Sequence, residues 1–365
     1  MDKRHPYVGL PDYQFWRKEI AIDNPKLFDP VKRASFTIEK DAPVVTAGSC
    51  FAQHVARHLA GSGFNFLVTE RAHPIIPKEI SKKYHYGMFT ARYGNIYTAR
   101  QLKQLLQRAY GQFEPLERVW RGPADEILDP FRPQIHPGGY VSEAELLDDR
   151  KTHFAALRKA VESMSVFVFT LGLTETWLDQ RDGAVFPIAP GVAGGKFDPA
   201  HHHFHNLSVQ EVVEDMQWCI DFIRQRNPGV RLLITVSPVA LNATALDRHV
   251  FISTTHSKAV LRVAADITCG HNDLCDYFPS YEIITSPYAR GQYFAPDCRD
   301  VLDAGVEHVM SIFLKHYGGV IPPDIEPQES ANLKTANQIA KQHIERMTEM
   351  MEILCDEERI SNERI

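Results

Sequence analysis

Apolar residues fall into short β-rich runs that alternate with stretches of helical spacing. The first run covers residues 43–47 and stops at Gly48; residues 49–60 follow, with Phe51, Val55, Ala56 and Leu59 on one helical face. Gly61-Ser62-Gly63 punctuates that helix, and residues 64–68 read as a second strand. Residues 166–171 and 230–236 repeat the motif, ending at Gly172 and at Ser237-Pro238. Between them residues 209–226 carry Val212, Val213, Met216, Ile220 and Ile223 at helical spacing, after the capping sequence Asn206-Leu207-Ser208. Strands alternating with helices predict an α/β fold: a mostly parallel sheet with helices on both faces, a three-layer α/β/α sandwich.

Two stretches break the rhythm. Residues 75–132 contain a helix at 99–110 among many Pro, Gly and aromatic positions, and residues 182–205 are rich in Gly, Pro and His without a period. Long irregular insertions in a compact domain are usually binding loops or lids. After Pro322-Pro323 the chain turns polar and helical, with Leu333, Ala336, Ala340, Ile344, Met347, Met351 and Leu354 forming one narrow apolar seam. Such a seam either packs back on its own domain or joins a second copy of the chain. The expected organisation is an N-terminal extension (1–40), one main domain (41–320) and a C-terminal helical tail (321–365).

Composition narrows the function. Lys and Arg number 40 against 46 Asp and Glu, so the net charge of −6 gives no support to nucleic-acid binding. No apolar stretch reaches membrane-spanning length, and no apolar run follows the charged N-terminus as a secretory signal requires. The six cysteines are too scattered for a disulfide framework and form no C-x-x-C pair, so the expected compartment is the cytoplasm and no zinc site is expected. No G-x-G-x-x-G follows a strand and no P-loop occurs, which disfavours a nicotinamide or nucleotide enzyme; no cofactor is expected.

In open parallel sheets, ligands bind beyond the carboxyl ends of the strands. Those tips here are Gly48-Ser49-Cys50, Gly172-Leu173-Thr174-Glu175 and Ser237-Pro238. At the start of a helix the Cys50 thiol would feel unpaired N–H groups and the positive end of the dipole, both of which favour thiolate. His54 lies four residues on, on the same helical face, as base or imidazolium partner; Ser49 is the neighbouring alternative nucleophile. Against this, Ser49 as a plain helix cap and Cys50 as a small buried hydrophobe are a common arrangement.

Ala47-Gly48-Ser49-Cys50-Phe51-Ala52 contains the GSCFA string, and the chain resembles the longer bacterial branch of the GSCFA family from about residue 43 to 313. The resemblance continues through Tyr93-Gly94-Asn95-Ile96-Tyr97-Thr98, Phe169-Thr170-Leu171-Gly172-Leu173-Thr174-Glu175-Thr176-Trp177, Asn206-Leu207-Ser208, Thr235-Val236-Ser237-Pro238-Val239 and Tyr277-Phe278-Pro279-Ser280-Tyr281-Glu282. That family is similar to the SGNH (GDSL-like) hydrolases, which implies ester or acyl-transfer chemistry from four separated motifs. Laying Gly48 on the first motif puts Cys50 at the nucleophile. Gly94 matches the second, with Asn95 beside it as an added oxyanion donor. Gly172-Leu173-Thr174-Glu175 matches the third, with Thr174 where those enzymes carry an oxyanion-hole Asn.

The fourth motif, D-x-x-H, reads Asp297-Cys298-Arg299-Asp300, so Asp300 replaces the histidine. A carboxylate is a weak base for a serine hydroxyl, whereas a thiol partly ionised at a helix terminus needs less help. The departure favours a Cys50/His54 dyad, with Glu175 orienting a histidine, or else signals lost catalysis. His308, His205 and His256 are further candidate histidines. His205, Asn206, Ser237, His256, Lys258 and Arg262 are the substrate-binding candidates, the last pair four apart and suited to a carboxylate or phosphate. The tract His201-His202-His203 has no companion ligand at helical or hairpin spacing and reads as a solvated or substrate-facing loop rather than a metal site. The expected activity is an esterase or acyltransferase acting on an acylated carbohydrate or small metabolite, with a donor such as an acyl-CoA. The alternative is a non-catalytic binding or scaffold protein on the same fold, serving surface-polysaccharide synthesis.

Overall fold

The computed structural model of the protein describes residues 5–19, 25–319, 356–357 and 359–360. After a one-turn helix α1 (Trp16–Glu19), the main unit begins with β1 (Val44–Gly48) and α2 (Cys50–Gly61). The first insertion supplies α3 (Lys78–Lys83), α4 (Ala99–Ala109) and the small hairpin β2 (Trp120–Arg121) and β3 (Ile127–Leu128). Then come α5 (Glu143–Ser163), β4 (Val166–Leu171), β5 (Glu175–Asp179), β6 (Val185–Phe186), β7 (His202–Asn206) and α6 (Val209–Arg224). The unit closes with β8 (Arg231–Val236), α7 (Val250–Gly270), β9 (Cys275–Tyr277), α8 (Ser280–Thr285) and α9 (Asp303–Tyr317).

The central sheet is parallel and four-stranded, in the order β1-β4-β8-β9, with Val44 opposite Val166 and Phe167 opposite Leu232. Each strand alternates between two cores. Val45, Ala47, Phe167, Phe169, Leu171, Leu232 and Ile234 face one cluster with residues of α4, α5, α6 and α7, whereas Val44, Val166, Val168 and Leu233 face the other with α2, α8 and α9. Burial on both faces is why these strands read as continuous apolar runs. Among the described residues no helix is long and apolar enough to cross a membrane.

Local chemistry sets the element ends. Thr98 and Gln101 form a capping box on α4, and Ser208 and Glu211 form one on α6, as the sequence at 206–208 predicts. Residues 64–68 do not become a strand: Phe66 makes a single parallel bridge to Val44, after which Thr69 and Glu70 both bond to Thr90 O. Residues 182–205 are not an aperiodic loop throughout. They pair β6 and β7 on either side of β5 in a three-stranded antiparallel sheet, with Trp177 opposite both Phe186 and Phe204. The apolar seam predicted at 333–354 lies outside the described residues.

The first insertion is fastened by buried charge. Asp129 accepts from Arg132 and Arg150, each at 3.0 Å, and these guanidinium groups with that of Arg108 hold its carboxyl far below the usual range despite complete burial. Asp149 bridges Arg92 and Arg132 at 2.8 Å each, tying the insertion to α5.

Candidate active site

Three strand tips meet beyond the sheet. Gly48 ends β1 at φ +137°, and a Cβ there would lie 2.3 Å from Thr170 O, so only glycine fits. Ser49 N–H donates to Thr170 O at 3.1 Å, and the chain turns directly into α2 with Cys50 as its first residue. The Ser49 side chain makes no capping bond; its hydroxyl is buried and has no hydrogen-bond partner among the described residues. Gly172 is needed for close approach: a Cβ on it would sit 3.0 Å from both Ser49 Cβ and Tyr97 O.

Cys50 is buried and lines a small void together with Ser49, Tyr97, Ser237, Lys258 and Glu357. The void holds about 10 Å³, the room of one water molecule. Lys258 reaches it from α7, is 2% exposed, and donates through Nζ to Gly172 O at 2.5 Å. Burial pulls its pKa down to about 8, against the opposing pull of Glu357 and Cys50. Ser237, at the tip of β8, accepts from Val239 N–H at 3.3 Å.

A second, larger cavity of about 280 Å³ adjoins the first through Leu173, Leu241 and Glu357, which line both. Its walls are largely apolar and come mainly from the β5–β7 insertion, with Trp177, Phe186 and Phe204 among them. Glu175 lines this cavity, where its carboxylate accepts from the Thr244 hydroxyl at 2.7 Å and from Ala245 N–H at 3.4 Å.

Among the described residues, no histidine lines either cavity. The His54 ring packs 5.8 Å from that of Phe51, and burial beside Arg57 and His58 pushes its pKa down to about 3, so the imidazole stays neutral. His205 pairs with Glu211 at 2.7 Å, and His256 is exposed on α7. His308 accepts a hydrogen bond from, or donates one to, Tyr293 OH at 2.8 Å within the second core.

Other expected residues are committed to structure. Thr174 donates its hydroxyl to Asn206 at 2.6 Å, and its N–H goes to Ser257 Oγ at 3.0 Å. Gly172 and Leu173 N–H both donate to Tyr97 O. Gly94 takes a left-handed φ of 71°, and two residues later Ile96 N–H reaches Gly48 O at 2.8 Å, lacing this loop to the tip of β1. Asn95 is buried there, accepting from Gln53 at 2.9 Å and donating to Asp356 at 3.1 Å. Arg262 pairs with Glu282 and Asp266 and stacks 4.1 Å over Tyr277, forming a surface network.

In the loop that corresponds to the fourth motif, Asp297 and Asp300 are exposed. Asp297 accepts from the backbone N–H of Arg299 and Asp300, at 3.1 Å each, which lowers its pKa. The residue that this turn directs inward is Arg299, whose Nη2 lies 3.2 Å from Glu357. The sequence pattern singles out neither Arg299 nor the buried acids Asp356 and Glu357.

The histidine tract is not simply a solvated loop. His202 is buried, accepts Asp198 N–H at Nδ1 and sits 2.9 Å from Glu117 through Nε2, and with Asp179 these groups bring three ligand atoms within 4.8 Å of one another. Arg181 already grips Asp179 at 2.6 Å and lies 3.6 Å from Glu117, so an internal cation balances the acids.

A parallel α/β sheet with a cysteine at the first strand-to-helix turn, beside a buried lysine and an apolar cavity, is the framework these observations define. The chain belongs to the GSCFA family, whose match spans residues 43–313. No curated protein sequence matches it. Among solved structures it is similar to a Clostridium thermocellum family 3 carbohydrate esterase, at 11% identity and a TM-score of 0.32 over 76% of this chain and 95% of that one.

Proposed function

We propose that this GSCFA-family protein is an SGNH-like acyl-transfer enzyme, an esterase or acyltransferase with Cys50 as its nucleophile. The observation that carries the reading is the placement of Cys50 at the start of α2, on a void it shares with the buried amine of Lys258. The first-turn N–H groups and the helix dipole favour the thiolate. Lys258, partly neutral near pH 8, is the proton carrier in place of His54.

In this scheme the Cys50 thiol gives its proton to Lys258, and the thiolate adds to the acyl carbonyl. The oxyanion is held by the α2 terminus and by the amide of Asn95. As the tetrahedral intermediate collapses, the C–O bond of the leaving alcohol breaks and Lys258 returns the proton to that oxygen. A thioester on Cys50 remains. Water or an acceptor hydroxyl then attacks it, Lys258 takes the attacking proton, and the proton returns to the sulfur. The larger cavity holds the acyl chain or a sugar face against Trp177, with Glu175 and Thr244 as its polar groups. The substrate class is an acylated carbohydrate or small metabolite.

The test is incubation with p-nitrophenyl esters and acyl-CoA donors followed by intact-mass measurement. The reading predicts one acyl group on the wild-type chain and none on Cys50→Ala. An unchanged adduct on Cys50→Ala overturns the assignment of the nucleophile.

A further inference from the structure

The void before Cys50 is small because the chain itself fills the space in front of it. Residues Asp356 and Glu357 are 3% and 9% exposed, far in sequence from every element they touch. Asp356 accepts from Asn95 Nδ2 at 3.1 Å, from Tyr97 OH at 3.3 Å and from Gln134 Nε2 at 2.6 Å, and its own N–H donates to Tyr97 OH at 3.1 Å. Glu357 meets Arg299 at 3.2 Å and faces the Lys258 ammonium, while its backbone carbonyl accepts from Asn242 at 2.7 Å. Glu357 lines both cavities and stands where they join.

Two acidic residues are therefore held at the strand tips by side chains from five separate segments, four of which meet the acid groups themselves. An acid buried here costs free energy unless cations and donors are already in place to receive it. The donors belong to the family domain; the acids come from beyond it, since the family match ends at residue 313. Asn95, which would hold a reaction oxyanion, is at present taken by a carboxylate oxygen.

We propose that the cavity before Cys50 recognises a carboxylate on the substrate through Arg299, and that Asp356-Glu357 occupies this subsite as an internal mimic that must leave for the substrate to enter. A neutral ester would gain nothing from Arg299. A substrate bearing a carboxylate exchanges one ion pair for another, and its binding competes with the chain's own acid. This rests on Cys50 being the reacting group of the proposed function.

Alkylation of Cys50 tests the proposal without turnover. The full-length chain is treated with neutral iodoacetamide and anionic iodoacetate, Cys50 modification is followed by peptide mapping, and each rate is divided by that of the same reagent with free cysteine. Glu357→Ala should speed Cys50 alkylation by both reagents, with iodoacetate gaining about tenfold over iodoacetamide from the Arg299 charge that Glu357 no longer covers. Adding Arg299→Gln should remove that advantage. Should Glu357→Ala fail to fold, Arg299→Gln alone loosens the acid and should raise the iodoacetamide rate at Cys50. Equal rates in wild type and both single variants, or a gain that is the same for both reagents and indifferent to Arg299, overturn the proposal. A Glu357→Ala chain that shows the anion preference yet forms no acyl adduct leaves this subsite standing and removes the acyl-transfer reading instead.

Discussion

Lys258 Nζ donates to the carbonyl oxygen of Gly172 at 2.5 Å, which fixes a buried amine at the strand tip against which Ser49 packs. That bond explains how a lysine stays in place behind Cys50 although burial disfavours its charge. With its pKa drawn down to about 8, Lys258 is protonated below that pH and cannot accept the thiol proton. Turnover should therefore rise with pH through about 8. Lys258→Met should remove this limb and lower kcat/KM by about 10²- to 10⁴-fold. The check is a pH–rate profile on both proteins; an unaltered profile in Lys258→Met would remove the amine from the proton path.

Gly48 turns the chain from β1 into α2, and its position allows no side chain. Gly48→Ala places a Cβ at φ +137° and 2.3 Å from Thr170 O, so the strand pair must part or the turn must change. The expected cost is about 3 kcal/mol or more, read as a fall in the urea midpoint. A variant with wild-type stability would mean that the turn is not held as described.

Asp129 compensates three arginines in the wall of the insertion. Asp129→Asn leaves buried cations unpaired and should destabilise the fold by about 3–5 kcal/mol at neutral pH. Because the folded-state pKa is depressed, the stabilisation is fully present above the ordinary carboxylate pKa and is lost as pH falls towards the depressed value. The gap between wild type and variant in urea titrations should thus narrow below about pH 4. A gap that is constant with pH would argue against the ion cluster as its cause.

Elements built from contiguous apolar residues were legible in the chain. β1, β4 and β8 are buried on both faces, so their runs are uninterrupted and their glycine and serine tips stand out. β7 was hidden because His202, His203, His205 and Asn206 make up four of its five residues, and the strand exists only by pairing with β5. Helical spacing put His54 near Cys50, yet spacing says nothing of where the ring packs, and it rests on Phe51. Lys258 was visible as a candidate for anion binding, but its burial behind Cys50 depends on how α7 crosses β8. The pairing of Arg299 with Glu357 spans 58 residues and leaves no local pattern at all.

The central claim, acylation at the Cys50 sulfur, is tested most directly by mapping the acyl group after a brief reaction with a p-nitrophenyl ester and then adding neutral hydroxylamine. The account predicts that the acyl mass lies on the peptide carrying Ser49 and Cys50 and is discharged by hydroxylamine at neutral pH, as a thioester is. An acyl group on that peptide that resists neutral hydroxylamine, as an ester on Ser49 would, contradicts it.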